Sequence, residues 1–150
     1  MRNETFFRSG YQYSQTLAYK RTQQSSITPI SISNYIKVAD WKAEKHVPVI
    51  ALLSPFKPGE PLEIEVAVGK EITHPTTVEH HIVWIALYYV SEGSQLPVEL
   101  ARAEFYVHGP DIFTEPVLKA IVKLPKPGMF HVVAYCNLHG LWESEFLIKQ

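Results

Sequence analysis

Apolar and polar side chains alternate in Leu62-Glu63-Ile64-Glu65-Val66-Ala67-Val68, the stretch that decides the fold. Alternation with a period of two residues is typical of a β-strand with one face in a core and the other in solvent. Residues 81–90 are apolar on both faces, which indicates a central strand that is covered on both sides. No helical period competes with these two stretches, so the chain is predicted to be all-β.

Five further β-rich runs flank these two and are separated by turn signals that contain glycine, proline, serine or asparagine. They comprise residues 47–53, 99–107, 117–124, 129–136 and 143–148. About seven short strands predict an immunoglobulin-like antiparallel β-sandwich. We assign residues 41–150 to this domain, in which no internal repeat or second folded domain is recognisable.

Residues 1–40 form an extended N-terminal arm of different composition, which we expect to be partly ordered. Gln, Ser and Thr dominate residues 23–33, and the apolar residues keep no clean period. The aromatic side chains of the arm either pack on a neighbouring subunit or belong to a poorly ordered terminus, and the sequence leaves both alternatives open. These aromatic residues are Phe6, Phe7, Tyr11, Tyr13, Tyr19 and Tyr35.

The composition argues against several classes of partner. The 150 residues include 14 basic and 15 acidic side chains, and no basic stripe indicates nucleic acid. No run reaches the roughly 20 apolar residues that cross a bilayer, and the N-terminus does not resemble a secretory signal. We therefore expect neither nucleic acid nor a membrane as partner. A cytoplasmic location is expected, which the unpaired cysteine also favours.

The single cysteine, Cys136, lies close to a histidine in the sequence. One cysteine forms no internal disulfide, and thiolate together with imidazole suits a transition metal better than magnesium or calcium. Cys136 ends a predicted strand and His139 lies in the following turn, so both side chains can be directed at one ion. The alternation of residues 129–136 places His131 on the opposite face, which makes it a poor candidate ligand.

Two upstream segments supply further imidazoles. His74 precedes Pro75, which restrains it to an extended backbone, and His80 and His81 follow six and seven residues later. Adjacent strand residues point to opposite faces, so only one of this pair should reach the same ion, and parity leaves open which. His46 lies just before the first predicted strand. Singly, each residue has an ordinary structural explanation, whereas four segments together indicate a metal site.

Three runs around these residues resemble the superoxide reductases, the neelaredoxin and desulfoferrodoxin group. The runs are WKAEKHVP at residues 41–48, GKEITHP through EHHIVWI at residues 69–85, and YCNLHGLW at residues 135–142. The resemblance covers about residues 40–149 and implies one mononuclear iron with four equatorial imidazoles and one axial thiolate. The implied ligands are His46, His74, His80, His139 and Cys136, which leaves His81 as a non-ligand.

The same resemblance implies an activity and its partners. The activity is one-electron reduction of superoxide to hydrogen peroxide, with a rubredoxin-type electron donor and a homodimeric or homotetrameric protein. Glu44 matches a residue that can take the sixth iron position in the ferric resting state, and Lys45 matches a lysine that draws in the anionic substrate. No cluster of four further cysteines is present, so the second iron centre of two-iron members is absent. We also expect backbone N–H groups of the turn after Cys136 to point at its sulfur.

Other functions are compatible with parts of this pattern. The main alternative is a blue-copper-like electron-transfer protein, which also combines a β-sandwich, upstream histidines and a late cysteine. Such a protein needs a weak axial ligand after the cysteine, whereas Met1 and Met129 both precede Cys136. An immunoglobulin-like binding module would leave the clustered histidines without a role. A thiol hydrolase would need a third, orienting group that the sequence does not identify.

Overall fold

Seven antiparallel β-strands form two sheets in the computed structural model, which describes residues 30–149. The strands are β1 (Pro48–Leu52), β2 (Pro61–Val68), β3 (Ile82–Ser91), β4 (Val98–Glu104), β5 (Val117–Lys123), β6 (Gly128–Cys136) and β7 (Gly140–Ile148). One sheet has the order β1-β2-β5 and the other the order β4-β3-β6-β7. The predicted sandwich of about seven strands is confirmed, while the predicted arm over residues 1–29 lies outside the described residues.

The core is built by the inward faces of strands that alternate as the sequence predicts. In β2, Leu62, Ile64 and Val66 are buried while Glu63 is exposed. In β6 the buried positions also recur every second residue and end at Cys136, which is 0% exposed and belongs to the same core cluster. Burying one large apolar side chain stabilises the fold by about 1.5–3 kcal/mol. The packing that forms the sandwich therefore also fixes the cysteine.

Strand β3 is central, as its apolar composition predicts. It pairs with β4 on one side and with β6 on the other, and Ile85, Ala86 and Leu87 are all fully buried. Its first residue, Ile82, pairs with Cys136, the last residue of β6. The loop that enters β3 and the turn that leaves β6 are therefore neighbours at one end of the sandwich.

Two predicted strand boundaries differ from the structure by three residues, and the others lie within one residue. Strand β4 ends at Glu104 rather than at residue 107, and β7 begins at Gly140 rather than at residue 143. The early start of β7 follows from a tight hairpin, in which Gly140 pairs directly with Cys136 across a three-residue turn. Gly140 has a φ of +78°, in the left-handed region that glycine adopts without steric cost. The third residue of this turn is His139.

The chain joins the four-stranded sheet before the predicted start of the domain. A short 3₁₀ helix, Ile32–Tyr35, leads to Lys37. Within residues 30–149, no helix is long and apolar enough to cross a membrane. The Lys37 N–H donates to the carbonyl of Leu141 at 2.9 Å, and its carbonyl accepts from Glu143 N–H at 2.8 Å. Lys37 thus lies along the edge of β7, within the segment that we assigned to the extension.

Gly69, directly after β2, permits a close approach to the loop that carries His74. Its φ is +83°, and a Cβ atom placed on it would lie 2.6 Å from the backbone nitrogen of His74. Such a contact is closer than van der Waals radii allow, so any side chain at position 69 would displace the backbone of His74.

We expect Gly69→Ala to destabilise the protein by more than Gly59→Ala. Both glycines have positive φ, so both substitutions should cost about 1–2 kcal/mol for the left-handed backbone. Gly59 has open space around it, whereas an alanine at position 69 would also collide with the backbone of His74. Overpacking of this kind costs about 1–3 kcal/mol of stability, in addition to the cost of the left-handed backbone. Urea unfolding of both metal-free variants measures the difference, and equal losses would contradict the close approach.

Candidate metal centre

Three segments that are distant from one another in sequence meet at one end of the sandwich. His46 lies two residues before β1, and His74 and His80 lie in the loop between β2 and β3. Cys136 is the last residue of β6, and His139 is the last residue of the turn before β7. Because neighbouring antiparallel strands run in opposite directions, the starts of β3 and β7 and the end of β6 lie at the same end of the sheet.

The four imidazoles form a closed ring. Neighbouring ring centroids are separated by 4.8 Å for His46 and His74, 4.6 Å for His74 and His80, 4.7 Å for His80 and His139, and 4.5 Å for His139 and His46. The diagonal from His46 to His80 is longer, at 5.7 Å. Four nearly equal sides and a longer diagonal place the four rings around a common centre, where they could hold one metal ion.

The cysteine sulfur belongs to the same cluster. Cys136 is a free thiol, and its Sγ lies 3.5 Å from Nδ1 of His139. The ligand atoms of His46, His80, Cys136 and His139 all lie within 4.8 Å of one another. One buried sulfur with several imidazole nitrogens is a donor set that suits iron, copper or zinc.

The contacts of His139 fit a cation between the rings. Its Nδ1 lies 2.9 Å from Nε2 of His46, 3.1 Å from Nε2 of His80 and 3.5 Å from the Cys136 sulfur. One ring nitrogen carries either one proton or one lone pair, so a proton there satisfies only one of these three neighbours. A single metal ion would be shared by all of the donor atoms.

The buried ring of His74 is a second observation that agrees with a metal in this site. Its Nε2 is buried and has no hydrogen-bond partner within residues 30–149, which ordinarily costs about 1–3 kcal/mol. Its Nδ1 lies 2.6 Å from the carbonyl of Pro75, to which it donates. That hydrogen bond fixes the proton on Nδ1 and leaves a lone pair on Nε2, the tautomer that a metal ligand needs.

Glu44 fixes the tautomer of His46 in the same way. Its Oε1 lies 2.6 Å from Nδ1 of His46, on the far side of the ring from the Nε2 that faces the cluster. The hydrogen bond from His46 lowers the pKa of Glu44, so the carboxylate is ionised at neutral pH. The structure therefore places Glu44 beside a proposed ligand, and its occupation of a sixth iron position stays a prediction.

Burial keeps three of the imidazoles neutral. Desolvation lowers the pKa of His46 and of His80, and it lowers the pKa of His74 from 6.5 to about 4. The nearby ammonium of Lys45 lowers the pKa of all three in the same direction. Neutral imidazole is the form that binds metal, so the site is prepared for a cation at pH 7.

Lys45 is half-buried beside this cluster, and within residues 30–149 it forms no salt bridge. Its charge is therefore not neutralised by a carboxylate in the described part of the chain. An ammonium next to three neutral imidazoles gives the site a local positive potential, which the nearly neutral chain as a whole does not provide.

The other histidines lie outside the ring. The Nδ1 of His81 lies 2.9 Å from the carbonyl of Thr77, so His80 is the member of the pair that faces the cluster. His131 is on the opposite face of β6, as its parity predicts, and contacts Glu143 at 3.1 Å. His108 stacks on Tyr106 in a loop.

Trp142 is a neighbour of the site that the sequence analysis did not single out. Its ring stacks on His46 with a centroid distance of 4.9 Å and an angle of 12°, and the Lys37 ammonium lies 5.1 Å from the Trp142 centroid. Lys37 also donates to the carbonyl of His139 at 3.0 Å. Only the position of Trp142 at the end of the C-terminal run hinted at such a role.

Asn137 is a second residue without an assigned role in the sequence analysis. Its side chain spans the gap between the turn after β6 and the loop before β3. The expected N–H groups pointing at the sulfur are not found within residues 30–149, where the polar contacts of Sγ are Nδ1 of His139 at 3.5 Å and Oδ1 of Asn137 at 4.0 Å. The N–H of Asn137 donates instead to the carbonyl of His81 at 3.2 Å.

A blue-copper site is not favoured by this geometry. Blue-copper centres use two imidazoles and one thiolate in a trigonal arrangement, with a weak axial ligand. Here four imidazoles close a ring, and Met129 lies on β6 seven residues before Cys136.

Comparison with known proteins connects this arrangement to one family. The family model described as Desulfoferrodoxin matches residues 38–145. The superoxide reductase of Pyrococcus furiosus is 43% identical over 126 residues, with 79% of this chain and 99% of the relative covered. The superoxide reductase of Pyrococcus horikoshii is 49% identical over 114 residues, covering 76% of this chain and 96% of the relative.

A solved structure agrees with the sequence matches. The superoxide reductase (neelaredoxin) of Archaeoglobus fulgidus in its reduced form superposes with a TM-score of 0.72 at 44% sequence identity. The match covers 77% of this chain and 99% of that chain. The structural match extends over nearly the whole length of that chain, and the family model over residues 38–145 includes every residue of the cluster.

The depressed pKa of His74 predicts how the stability of the metal-free protein depends on pH. In the unfolded chain His74 takes up a proton near pH 6.5, whereas in the folded protein it does so only near pH 4. Between these values the unfolded state binds more protons, so stability should fall as the pH falls from 6.5 to 4, with a contribution from His74 of at most about 3–4 kcal/mol. Denaturant unfolding across this range measures the slope.

A His74→Leu variant provides the control, because it keeps an apolar side chain in the buried position and removes the titrating group. Its unfolding free energy should lose the part of the slope that His74 contributes, while the lowered pKa values of His46 and His80 leave a shallower slope in the same direction. An identical slope in both proteins would show that other groups are responsible.

Proposed function

Because the chain belongs to the desulfoferrodoxin family, we propose that it is a superoxide reductase that uses one iron ion. The reaction consumes superoxide, one electron and two protons and yields hydrogen peroxide. The proposed ligands are His46, His74, His80, His139 and Cys136. The observation that carries the proposal is the closed ring of four imidazoles in contact with one fully buried thiol.

Iron, when bound, supplies the electron and a coordination position at which the substrate is reduced. The four imidazoles are neutral donors and leave the positive charge of the ion undiminished, which favours an anionic substrate. The Cys136 thiolate is a strong electron donor, and its burial in the core excludes water from the sulfur. Iron rather than zinc is favoured because the reaction needs a metal that changes oxidation state.

Lys45 is proposed to attract the substrate. It is half-buried beside the ring and lacks a carboxylate partner in the described part of the chain, so its charge acts on whatever enters the site. With 14 basic and 15 acidic residues the chain has no overall field to steer an anion. A local ammonium therefore has to provide the attraction.

Glu44 is proposed to hold His46. The hydrogen bond at 2.6 Å orients the ring and increases its basicity, as carboxylates do for metal-bound histidines. The further role that the family resemblance implies, closure of the open iron position in the ferric state, requires the carboxylate to leave this hydrogen bond and stays a prediction.

The remaining partners are proposed from the resemblance. We infer a rubredoxin-type iron protein as electron donor, a homodimer or homotetramer as the assembly, and a cytoplasmic location. The exposed side chain of His139 is the route by which an electron can enter from a docked donor, because it connects the cluster to the surface. Protons can reach the site from solvent on the same side.

Reaction of the reduced, iron-loaded protein with superoxide tests the function. One hydrogen peroxide should form for each superoxide consumed, without release of oxygen, which a dismutase would produce. The oxidised protein should show a thiolate-to-iron absorption band that Cys136→Ser lacks. Oxygen release would contradict the reductase function, and a band that persists in Cys136→Ser would show that Cys136 is not the ligand that produces it.

We expect Lys45→Ala to slow the second-order reaction with superoxide and to flatten its dependence on ionic strength. Steering by local charge raises association rates by about tenfold or more and weakens in salt. Lys42→Ala is the matched control, because Lys42 is exposed and its ammonium lies over the Trp41 ring. Pulse radiolysis at several salt concentrations gives both rates. The steering role is excluded if the two variants behave alike.

A further inference from the structure

We propose that Asn137 is a positioning residue that locks His80 to the turn carrying Cys136 and His139. The inference rests on the proposed function, since it concerns how two of the proposed ligands keep a fixed relative position. Its evidence is a set of hydrogen bonds between two loops, none of which involves a ligand atom.

The Asn137 side chain grips the backbone on both sides of His80. Its Nδ2 donates to the carbonyl of Glu79 at 2.9 Å, and its Oδ1 accepts from the N–H of His81 at 2.9 Å. Its backbone N–H donates to the carbonyl of His81 at 3.2 Å. Two of these hydrogen bonds hold the peptide groups that flank His80, and the third holds the following peptide group, between His81 and Ile82.

The hydrogen bonds of Asn137 follow directly after the last regular pair between β3 and β6. The pairing of β3 with β6 stops at Ile82 and Cys136, and its register is irregular between Ile82 and Trp84. A carboxamide carries the same donor and acceptor as a peptide group, so Asn137 adds one more rung beyond the last regular pair. This additional pair fixes the backbone of the loop before β3 relative to the end of β6.

The His80 side chain has few other constraints. The ring is only partly buried, and within residues 30–149 its hydrogen-bonding contact is with Nδ1 of His139 at 3.1 Å. Thr77 pairs with the backbone of His80 through 3.0 and 3.2 Å hydrogen bonds, but both residues belong to the same loop. In the described part of the chain, Asn137 is the residue of the opposite turn whose side chain binds the backbone of this loop.

The chemistry of the contact selects asparagine. One partner is a carbonyl that needs a donor, and the other is an N–H that needs an acceptor, which also fixes the orientation of the amide. Aspartate has no donor for the Glu79 carbonyl, and alanine offers neither group. The neighbouring Cys136 is fully buried in the core, so the fixed end of the link is anchored by packing.

Loss of the Asn137 hydrogen bonds should lower the affinity of the site for metal. Co²⁺ is a suitable probe, because its bond to a thiolate gives a charge-transfer band. Asn137→Ala should weaken Co²⁺ binding by about 10- to 100-fold, as loss of the groups that orient metal ligands typically does. The thiolate band should remain, because Cys136 itself is unchanged. Leu138→Ala is the matched control, because Leu138 is exposed in the same turn and makes no such bond. Equal losses in the two variants would overturn the proposal.

A double-mutant cycle tests whether the effect passes through His80. In a His80→Ala background, where no ring remains to be positioned, Asn137→Ala should weaken Co²⁺ binding by no more than about threefold. If Asn137→Ala costs the same in both backgrounds, Asn137 acts on the fold in general and the proposal fails.

Hydrogen exchange of the metal-free protein tests the bond without any metal. The His81 amide should be protected in the wild type and in Asn137→Asp, which keeps the acceptor, and should exchange faster in Asn137→Ala. An unprotected His81 amide in the wild type would overturn the link. If the amide behaves as expected but the wild type does not reduce superoxide, the proposed function fails and the link stands.

Discussion

The nitrogen Nδ1 of His139 faces three donor atoms, two of them imidazole nitrogens at 2.9 and 3.1 Å and the third the Cys136 sulfur at 3.5 Å. Lone pairs at these distances repel one another unless a cation lies among them. The protein keeps them together because Cys136 belongs to the core and the strands that flank the other ligands also contribute residues to it. The free energy of core packing thus holds the donor atoms in a position that they would not adopt by themselves.

Much of this arrangement could be predicted because it follows from local periodicity. A period of two residues sends Leu62, Ile64 and Val66 inward, and the same rule buries Cys136 while it excludes His131. The apolar run from residue 81 marked a central strand, which the order of the sheet confirms. The start of β7 was misjudged because it depends on the pairing of Gly140 with Cys136, a property of hairpin geometry rather than of polarity.

The parts that sequence reasoning missed depend on contacts between distant residues. Parity could not decide between His80 and His81, and in the structure the choice depends on the carbonyl of Thr77, which engages the ring of His81. The stacking of Trp142 on His46 joins residues 96 positions apart, and the side-chain bonds of Asn137 cross 56 and 58 positions. The family resemblance supplied a ligand set, but it could not indicate that Glu44 binds the outer nitrogen of His46.

The long separation between His46 and His139 has a consequence for how the protein matures. Their ring nitrogens lie 2.9 Å apart although 93 positions separate them in the chain, and nearly the whole sandwich lies between. A contact of such high sequence separation forms late in folding, because the entropy of closing the intervening chain must first be offset by the pairing of the strands. The His46 and His139 donor atoms therefore come together only when the strands between them have paired, and we expect the ion to bind after the sandwich has formed.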